Sequence, residues 1–404
     1  MRELNVRIGL AWPPGVTSGW GVLALNMTLE MLDHPEASPF LILPPHTDLN
    51  ADPALAARLA PLAAEQVRLQ ALLDGESTRT ATLNHPVIHS LTNHCQWGTR
   101  ISERVKGQGN LAYIFLEDTN LTPEDRSRAE RIDLILAGCS WNETVLRSNG
   151  IANVTTVLQG VDTCRFTPGT RTPIFPGKFV VFGGGTLTYR KGQDIVAAAF
   201  KAFHRRHPDA FLLTAWQNPF PETVRDIATS GLMQGFPAAR AAGGIDIKGW
   251  LVGNGIPPEA CHDVGAVPNS SMADIYRQAD VALFPNRAEG GTNMVAMEAM
   301  ACGIPCLISE GHGHLDLIAP NRANCLPLPS SGPCPPVALG RLAHAGMDGW
   351  IEVSVESCVE ALEVLYQDRE RAGDMGRRGA DFMRPWSWKA QTARVVELAM
   401  ETLG

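Results

Sequence analysis

Short apolar runs alternate with helical segments along this chain, and the alternation occurs twice. In the first half the runs "VRIGLAW" (from Val6), "FLILPP" (from Phe40), "PVIHSLTN" (from Pro86), "LAYIFLED" (from Leu111) and "LILAGCS" (from Leu134) read as strands. Between them "GVLALNMTLEML" has helical spacing, and "DPALAARLAPLAAEQVRLQALLDG" predicts a helix broken near Pro61. After a Pro-, Gly- and Thr-rich segment, Gly160 to Lys178, the pattern restarts with "FVVFGGG", "FLLTAW", "IDIKGWL", "ADVALFP" and "IPCLIS". Apolar strands separated by helices predict parallel sheets covered on both faces. The class is α/β, with two doubly wound, Rossmann-like domains facing across a cleft. Ligands of such sheets bind beyond the carboxyl ends of the strands.

Bulk properties exclude several functions. The 404 residues exceed one ordinary core and suit two domains. A net charge of -8 provides no basic field for nucleic acid. The nine cysteines are scattered and form no CxxC, which predicts reduced thiols and a cytoplasmic location. The start, "MRELNVRIGLAW", has no apolar signal-peptide core, and no run of about 18 apolar residues predicts a membrane span. Peripheral contact with a membrane remains compatible with these features.

Two segments carry chemistry. In "VVFGGGTLTYRKGQD" a strand runs into Gly183–Gly185 and then Arg190 and Lys191. Glycine admits close backbone approach, and Arg and Lys beside a strand end suit phosphate. A tight turn with two solvated cations fits the segment equally well, and GxGxxG is absent. In "EGGTNMVAME" two carboxylates, Glu289 and Glu298, flank a kink between apolar runs. A helix starting near Thr292 or Asn293 would offer its N–H groups and positive dipole end to an anion. Glu298, on the face of Met294 and Val295, could then accept from a pair of sugar hydroxyls, and Glu289 could reach another part of the same ligand. A phosphate between two carboxylates fits a nucleoside diphosphate sugar. The plainer reading of Glu298 is a buried charge opposite an arginine. "GHGHLD" (Gly311 to Asp316) has some metal-ligand character. It reads better as the loop after "CLIS". "LPLPSSGPCPP" (Leu326 to Pro336) reads as a loop.

These residues give a specific resemblance. "EGGTNMVAMEAMACGIP" resembles the donor-binding signature of retaining, family-4-type glycosyltransferases with the GT-B fold, in which two glutamates bracket a glycine loop. "LAGCSWNETVLRSNGI", "LQGVDTCRFTP", "YRKGQD" and "FMRPWSWKAQTARVVELA" resemble further segments of that family, in the family's order. The resemblance implies an acceptor-side domain over 1–170, joined by a crossing helix at about 385–404, and a donor-binding domain over 176–384. It implies that Glu289 faces the donor sugar, that Glu298 holds the ribose, and that loop amides near Gly291, Thr292, Asn293 and Met294 hold the diphosphate. Lys191 matches the family's phosphate-binding lysine.

Where the family commonly has an arginine, this chain has Gly185, so Arg190 is the expected substitute. Eight residues separate Glu289 from Glu298, one more than in the family, and a bulge at Gly290–Gly291 would absorb the excess. "PPGVTSGWGVLALN", with Gly19 and Gly21, resembles the family's first loop. His89 and His94, with Glu117 and Asp118, are the acceptor-side candidates. No Asp-x-Asp occurs, so no catalytic metal and no cofactor are expected. The expected activity is metal-independent, retaining transfer of a hexosyl-type sugar from a nucleoside diphosphate sugar to a saccharide, lipid-linked or protein acceptor. The alternatives are a catalytically silent sugar-nucleotide-binding protein, or an epimerase or phosphorylase on the same fold.

Overall fold

A computed structural model describes residues 5–75, 80–218, 221–241, 243–335 and 346–403. Arg2, Glu3 and Pro336, quoted above, lie outside them. The chain divides into two compact units, Met1–Gly160 with Trp386–Gly404, and Val161–Pro385.

In the N-terminal unit six parallel strands form one sheet: β1 (Val6–Leu10), β2 (Ala37–Leu41), β3 (Val87–Ser90), β4 (Asn110–Ile114), β5 (Leu134–Ala137) and β6 (Val154–Thr156). Their order is β2-β1-β3-β4-β5-β6, so the chain reverses direction across the sheet at β1 and β3. The helices are α1 (Gly19–Leu32), α2 (Pro53–Gly75), α3 (Pro123–Ala129) and α4 (Ser140–Ser148). The C-terminal helix, Trp388–Glu401, belongs to this unit, and the backbone of Gly160 lies against Trp388. α2 is continuous through Pro61, contrary to the predicted break. Pro61 and Ala57, whose carbonyl loses its N–H partner, both face solvent, so water can replace the missing bond.

The C-terminal unit repeats the plan with β7 (Phe179–Thr186), β8 (Ala210–Gln217), β9 (Cys261–Asp263), β10 (Val281–Phe284), β11 (Cys306–Ser309) and β12 (Leu326–Leu328), ordered β9-β8-β7-β10-β11-β12 and all parallel. The reversal point lies between β7 and β10. Its helices include α5 (Gln193–His204), α6 (Ile247–Gly253), α7 (Met272–Tyr276), α8 (Met294–Ala301), α9 (Val355–Gln367) and α10 (Arg369–Met383). α5 buries Ile195, Val196, Ala199, Phe200 and Phe203 on one face, against Phe179, Leu212 and Trp216 of the sheet. Full burial of each such side chain is worth about 1.5–3 kcal/mol.

Two expectations change in this unit. "IDIKGWL" is predicted as a strand but forms α6. Asp246 caps it by accepting from Gly249 N–H at 3.2 Å, and Ile247, Trp250 and Leu251 form a helical stripe. The stretch predicted as a loop after Leu326 contributes β12, which pairs with β11. The Pro-rich segment after Gly160 docks on the C-terminal unit. Arg171 pairs with Asp280 at 2.8 Å, and Arg277 donates to the carbonyls of Arg165 and Thr167. Among the described residues no helix is long and apolar enough to cross a membrane.

Candidate functional site at the strand ends

β7 and β10 end side by side, and the segments leaving them carry most of the predicted residues. After β7 the chain makes a short turn of 3-10 helix, Tyr189–Lys191, before α5. A strand would point Arg190 and Lys191 to opposite sides. In this turn both reach one carboxylate. Lys191 Nζ donates to Glu289 Oε1 at 2.5 Å, and Arg190 Nη1 donates to Glu289 Oε2 at 3.2 Å. The amide of Asn286 donates to the same carboxylate. Burial alone would raise the Glu289 pKa. The charges of Lys191 and Arg190 outweigh it and hold the group at about 2. Two cations thus converge on one buried carboxylate.

Two glycines make this geometry possible. Gly192 has φ +66°, and a Cβ there would lie 2.3 Å from the carbonyl oxygen of Pro285. The turn can therefore press against the segment leaving β10, whose Arg287 and Ala288 N–H groups donate to the Arg190 carbonyl at 2.7 and 3.1 Å. Gly185 has φ +109°, and a Cβ there would sit 3.3 Å from Lys191 Cδ. The position where the resemblance expects an arginine is thus the space beside the stem of Lys191.

Arg287 fastens this arrangement from below and was not singled out in the sequence. Its side chain is fully buried. It makes a bidentate pair with Asp194 at 2.8 and 2.8 Å, a second with Glu352 at 2.8 and 2.9 Å, and donates to the Tyr189 carbonyl at 2.8 Å. Its guanidinium also lies 4.0 Å from the centre of the Tyr189 ring. Burial opposes the charge, but Asp194 and Glu352 outweigh it and hold the Arg287 pKa above its usual value. The signal in the sequence was an arginine next to a buried strand and two residues before Glu289. Its partners lie 93 and 65 residues away.

The kink between the glutamates is tight. α8 begins at Met294 with Asn293 as N-cap, at φ +62°, and no side chain caps the helix. The helix thus starts where the sequence places it, with Asn293 in the N-cap position but without a side-chain cap bond. Thr292 is fully buried and turns its hydroxyl to Met297 Sδ at 3.0 Å. Asn293 Nδ2 instead meets His314 Nε2 at 3.0 Å, and His314 Nδ1 meets Ser309 Oγ at 2.9 Å. The first N–H groups of α8 therefore have neither an intrahelical acceptor nor a side-chain cap. Gly313 N–H donates to the Glu289 carbonyl at 3.1 Å, and Gly313 packs against the Gly291 carbonyl. "GHGHLD" thus forms a wall of the site. Burial lowers the pKa of His312 to about 4 and of His314 to about 3, so both are neutral near pH 7. Among the described residues no cluster of three or more metal-ligating side chains occurs.

Glu298 lies farther along α8 and is 6% exposed. Asn269 Nδ2 donates to Oε1 at 2.6 Å, and the Tyr276 hydroxyl donates to Oε2 at 2.7 Å. Among the described residues no arginine forms an ion pair with it, and Arg165 acts on it only through its charge. Burial raises its pKa to about 7, against the pull of the two donors. Each carboxylate oxygen has two acceptor sites, so one on each remains after these bonds.

In the N-terminal unit the acceptor-side candidates separate. His89 is fully buried, leans back to Asn110 Oδ1 at 3.3 Å, and stacks near Trp97. Burial lowers its pKa to about 4. His89 lies next to the carboxyl end of β3 and is buried in this structure. His94, Glu117 and Asp118 do come together, on the loops after β3 and β4. Asn93 Oδ1 accepts from the N–H groups of Glu117 and Asp118 at 2.6 and 3.3 Å, and His94 lies 3.3 Å from Asp118 and 3.1 Å from Asp125. Gly19 opens α1 and is exposed, while Gly21 N–H donates to the N-cap Ser18 Oγ at 3.1 Å.

Known proteins agree with this architecture. Residues 177–331 match the family described as "Glycosyl transferases group 1", and residues 268–395 match "Family 4 Glycosyltransferase in conflict systems". A D-inositol 3-phosphate glycosyltransferase of Arthrobacter sp. (strain FB24) is 26% identical over 244 residues, covering 59% of this chain and 48% of that protein. A GDP-mannose-dependent alpha-(1-6)-phosphatidylinositol monomannoside mannosyltransferase of Mycolicibacterium smegmatis is 26% identical over 254 residues, covering 59% and 54%. The chain thus spans about half the length of these relatives. Among solved structures, sucrose-phosphate synthase from Thermosynechococcus elongatus superposes with a TM-score of 0.65 at 15% identity, covering 98% and 99% of the two chains. Anabaena HepE in complex with UDP and glucose gives 0.64 at 12% identity, covering 98% and 100%. These two show the shared GT-B fold. Over residues 177–395 the chain is thus similar to the group 1 and family-4-type glycosyltransferases.

Proposed function

We propose that the protein transfers a sugar from a nucleoside diphosphate sugar to an acceptor hydroxyl with retention of anomeric configuration and without a catalytic metal. One observation carries this reading. Lys191 and Arg190 converge on one buried carboxylate at the carboxyl ends of the two strands where the sheet order reverses, and the start of α8, without a side-chain cap, belongs to the segment that leaves β10. Ligands of doubly wound sheets bind at this switch point. On this reading the diphosphate takes Lys191 and Arg190 from Glu289 in part, and the loop near Gly291, Thr292 and Met294 adds backbone N–H groups. Glu298, held by Asn269 and Tyr276, accepts from the ribose hydroxyls. Glu289 faces the sugar.

As the glycosidic bond breaks, charge grows on the departing phosphate. Groups already fixed around that position stabilise it without reorganisation. The leaving phosphate can then take the acceptor's proton on the same face, so no separate base is required. His94, Glu117 and Asp118 are proposed to meet the acceptor. The solved HepE complexes with UDP-glucose and the relative described as GDP-mannose-dependent make UDP- and GDP-sugars the first donors to test.

The test is a thermal-shift screen with UDP, GDP, UDP-glucose and GDP-mannose, followed by turnover in EDTA. A ligand at 100 times its Kd stabilises the folded state by about 2.7 kcal/mol. A shift with at least one of these in wild type, its reduction in Lys191→Ala, and EDTA-resistant turnover support the proposal. Absence of any shift contradicts the donor site, and turnover lost in EDTA and restored by Mn²⁺ contradicts metal independence.

A further inference from the structure

Asn293 occupies a backbone conformation that suits glycine, yet carries a side chain. Its φ is +62°, it is 5% exposed, and its amide is held at one end only. The amide lies with Nδ2 toward His314 Nε2 at 3.0 Å. An amide Nδ2 only donates, so Nε2 of the neutral His314 accepts, and its Nδ1–H donates to Ser309 Oγ at 2.9 Å. Among the described residues Oδ1 is buried without a hydrogen-bond partner. A buried acceptor left unsatisfied costs roughly 1–3 kcal/mol. This one sits at the start of α8, one residue after Thr292 and within the loop opened by Glu289.

We infer that Asn293 Oδ1 accepts a hydrogen bond from a hydroxyl of the transferred sugar, with His314 and Ser309 positioning the amide. The inference rests on the nucleotide-sugar reading of this site and adds what the loop recognises. Backbone N–H groups and cations there suit the diphosphate, which only accepts, whereas an orphaned acceptor selects a donor. The sugar's hydroxyls are donors, and the diphosphate has none. With the ribose hydroxyls assigned to Glu298, Asn293 contributes to affinity for the sugar and not to affinity for the free nucleoside diphosphate. His314 acts through Asn293. Replacing it frees the amide to turn and present a donor instead.

The experiment compares, by calorimetry, UDP with UDP-glucose and GDP with GDP-mannose on wild type, Asn293→Gly and His314→Phe. Asn293→Gly keeps the positive φ without strain and deletes only the amide. The expected result is that Asn293→Gly weakens the sugar nucleotide by about five- to tenfold, the range of one neutral hydrogen bond. Affinity for the matching free nucleoside diphosphate stays within twofold. His314→Phe is expected to shift the same ratio in the same direction by a smaller factor. A merely structural role would weaken both ligands alike. An unchanged ratio, or equal loss of both ligands, in a folded variant overturns the inference while leaving the nucleotide site intact. If Asn293→Gly fails to fold, the ratio in His314→Phe decides the matter by the same criterion. Wild type binding none of the four ligands overturns the donor-site reading and this inference with it.

Discussion

At the carboxyl ends of β7 and β10 the C-terminal unit keeps Glu289, Arg287 and Glu298 at 4%, 0% and 6% exposure, while at the ends of β3 and β4 the N-terminal unit leaves the His94 side chain 37% exposed between Asp118 and Asp125. Both places are strand ends of six-stranded parallel sheets. Burying charge is expensive unless each charge is paired and hydrogen-bonded. The C-terminal unit meets that cost with a connected set, Arg287 to Asp194 and Glu352 below, and Lys191, Arg190 and Asn286 around Glu289 above. The result is a site whose charges are fixed before a ligand arrives. The N-terminal loops are tied together through Asn93 and bury Asp125, but leave the His94 ring partly in water. A preformed site suits a chemically constant ligand, such as a diphosphate. A wetter, looser site suits an acceptor that varies between enzymes of one fold.

The largest expected effect breaks this comparison at its base. Arg287→Met should destabilise the C-terminal unit by about 3–5 kcal/mol, because it leaves Asp194 buried and unpaired. Arg128→Met in the N-terminal unit should cost less, about 1–3 kcal/mol, since the equally buried Asp125 keeps the N–H of Thr122 and His94. Urea unfolding of both variants gives the two numbers. Equal costs would mean that the partners left to each buried carboxylate have no energetic counterpart.

Next in size is Lys191→Ala. Turnover should fall by the equivalent of about 2–4 kcal/mol, as for loss of a preorganised donor to a developing charge. Affinity for the free nucleoside diphosphate should fall by less, because the charge on the phosphate is still growing in the transition state. Steady-state kinetics beside calorimetry separates the two, and wild-type turnover in this variant would move the role to Arg190 or to the loop.

Much of this contrast was legible in the sequence, and the reason some was not is distance along the chain. The alternation of apolar runs identifies the α/β class because buried parallel strands must be apolar on both faces. Lys191, Arg190, Glu289 and Glu298 stand out because charges next to buried runs need partners. Their partners do not stand out. Tyr276 and Asn269 lie 22 and 29 residues before Glu298, in elements with no sign of their own, and His314, 21 after Asn293, stands in "GHGHLD", a segment whose sequence does not point to Asn293. α6 was misread because "IDIKGWL" alternates like a strand over seven residues, and only the Asp246 cap decides otherwise. The burial of His89 was not legible because a histidine on a strand has the same sequence signature whether it lies in the core or at the rim.

A smaller, pH-dependent effect sharpens the account of Glu298. Its folded pKa, about 7, lies above the ordinary carboxyl value, so its ionisation opposes folding. Wild-type stability should therefore fall as pH rises from about 5 to about 8, relative to Glu298→Gln, which cannot ionise. In the variant the Tyr276 hydroxyl can turn to accept from the new amide. Urea midpoints at pH 5 and 8 check the sign, and a gap between the proteins that does not change with pH would contradict it. The smallest effect belongs to the N-terminal loops. His94→Ala should change stability by no more than about 1 kcal/mol. It should raise the acceptor KM while leaving nucleotide affinity unchanged. A drop in nucleotide affinity instead would erase the distinction between the two sites.

The central claim is that the buried cluster at the ends of β7 and β10 binds the diphosphate. Calorimetric titration of UDP and GDP into wild type and the double variant Arg190→Ala/Lys191→Ala tests it most directly. Two charge-assisted hydrogen-bond donors are worth about 1.5–3 kcal/mol each, so the account predicts a loss of at least about a hundredfold in affinity for whichever nucleotide wild type binds. A folded double variant that binds the nucleotide as tightly as wild type would contradict the claim.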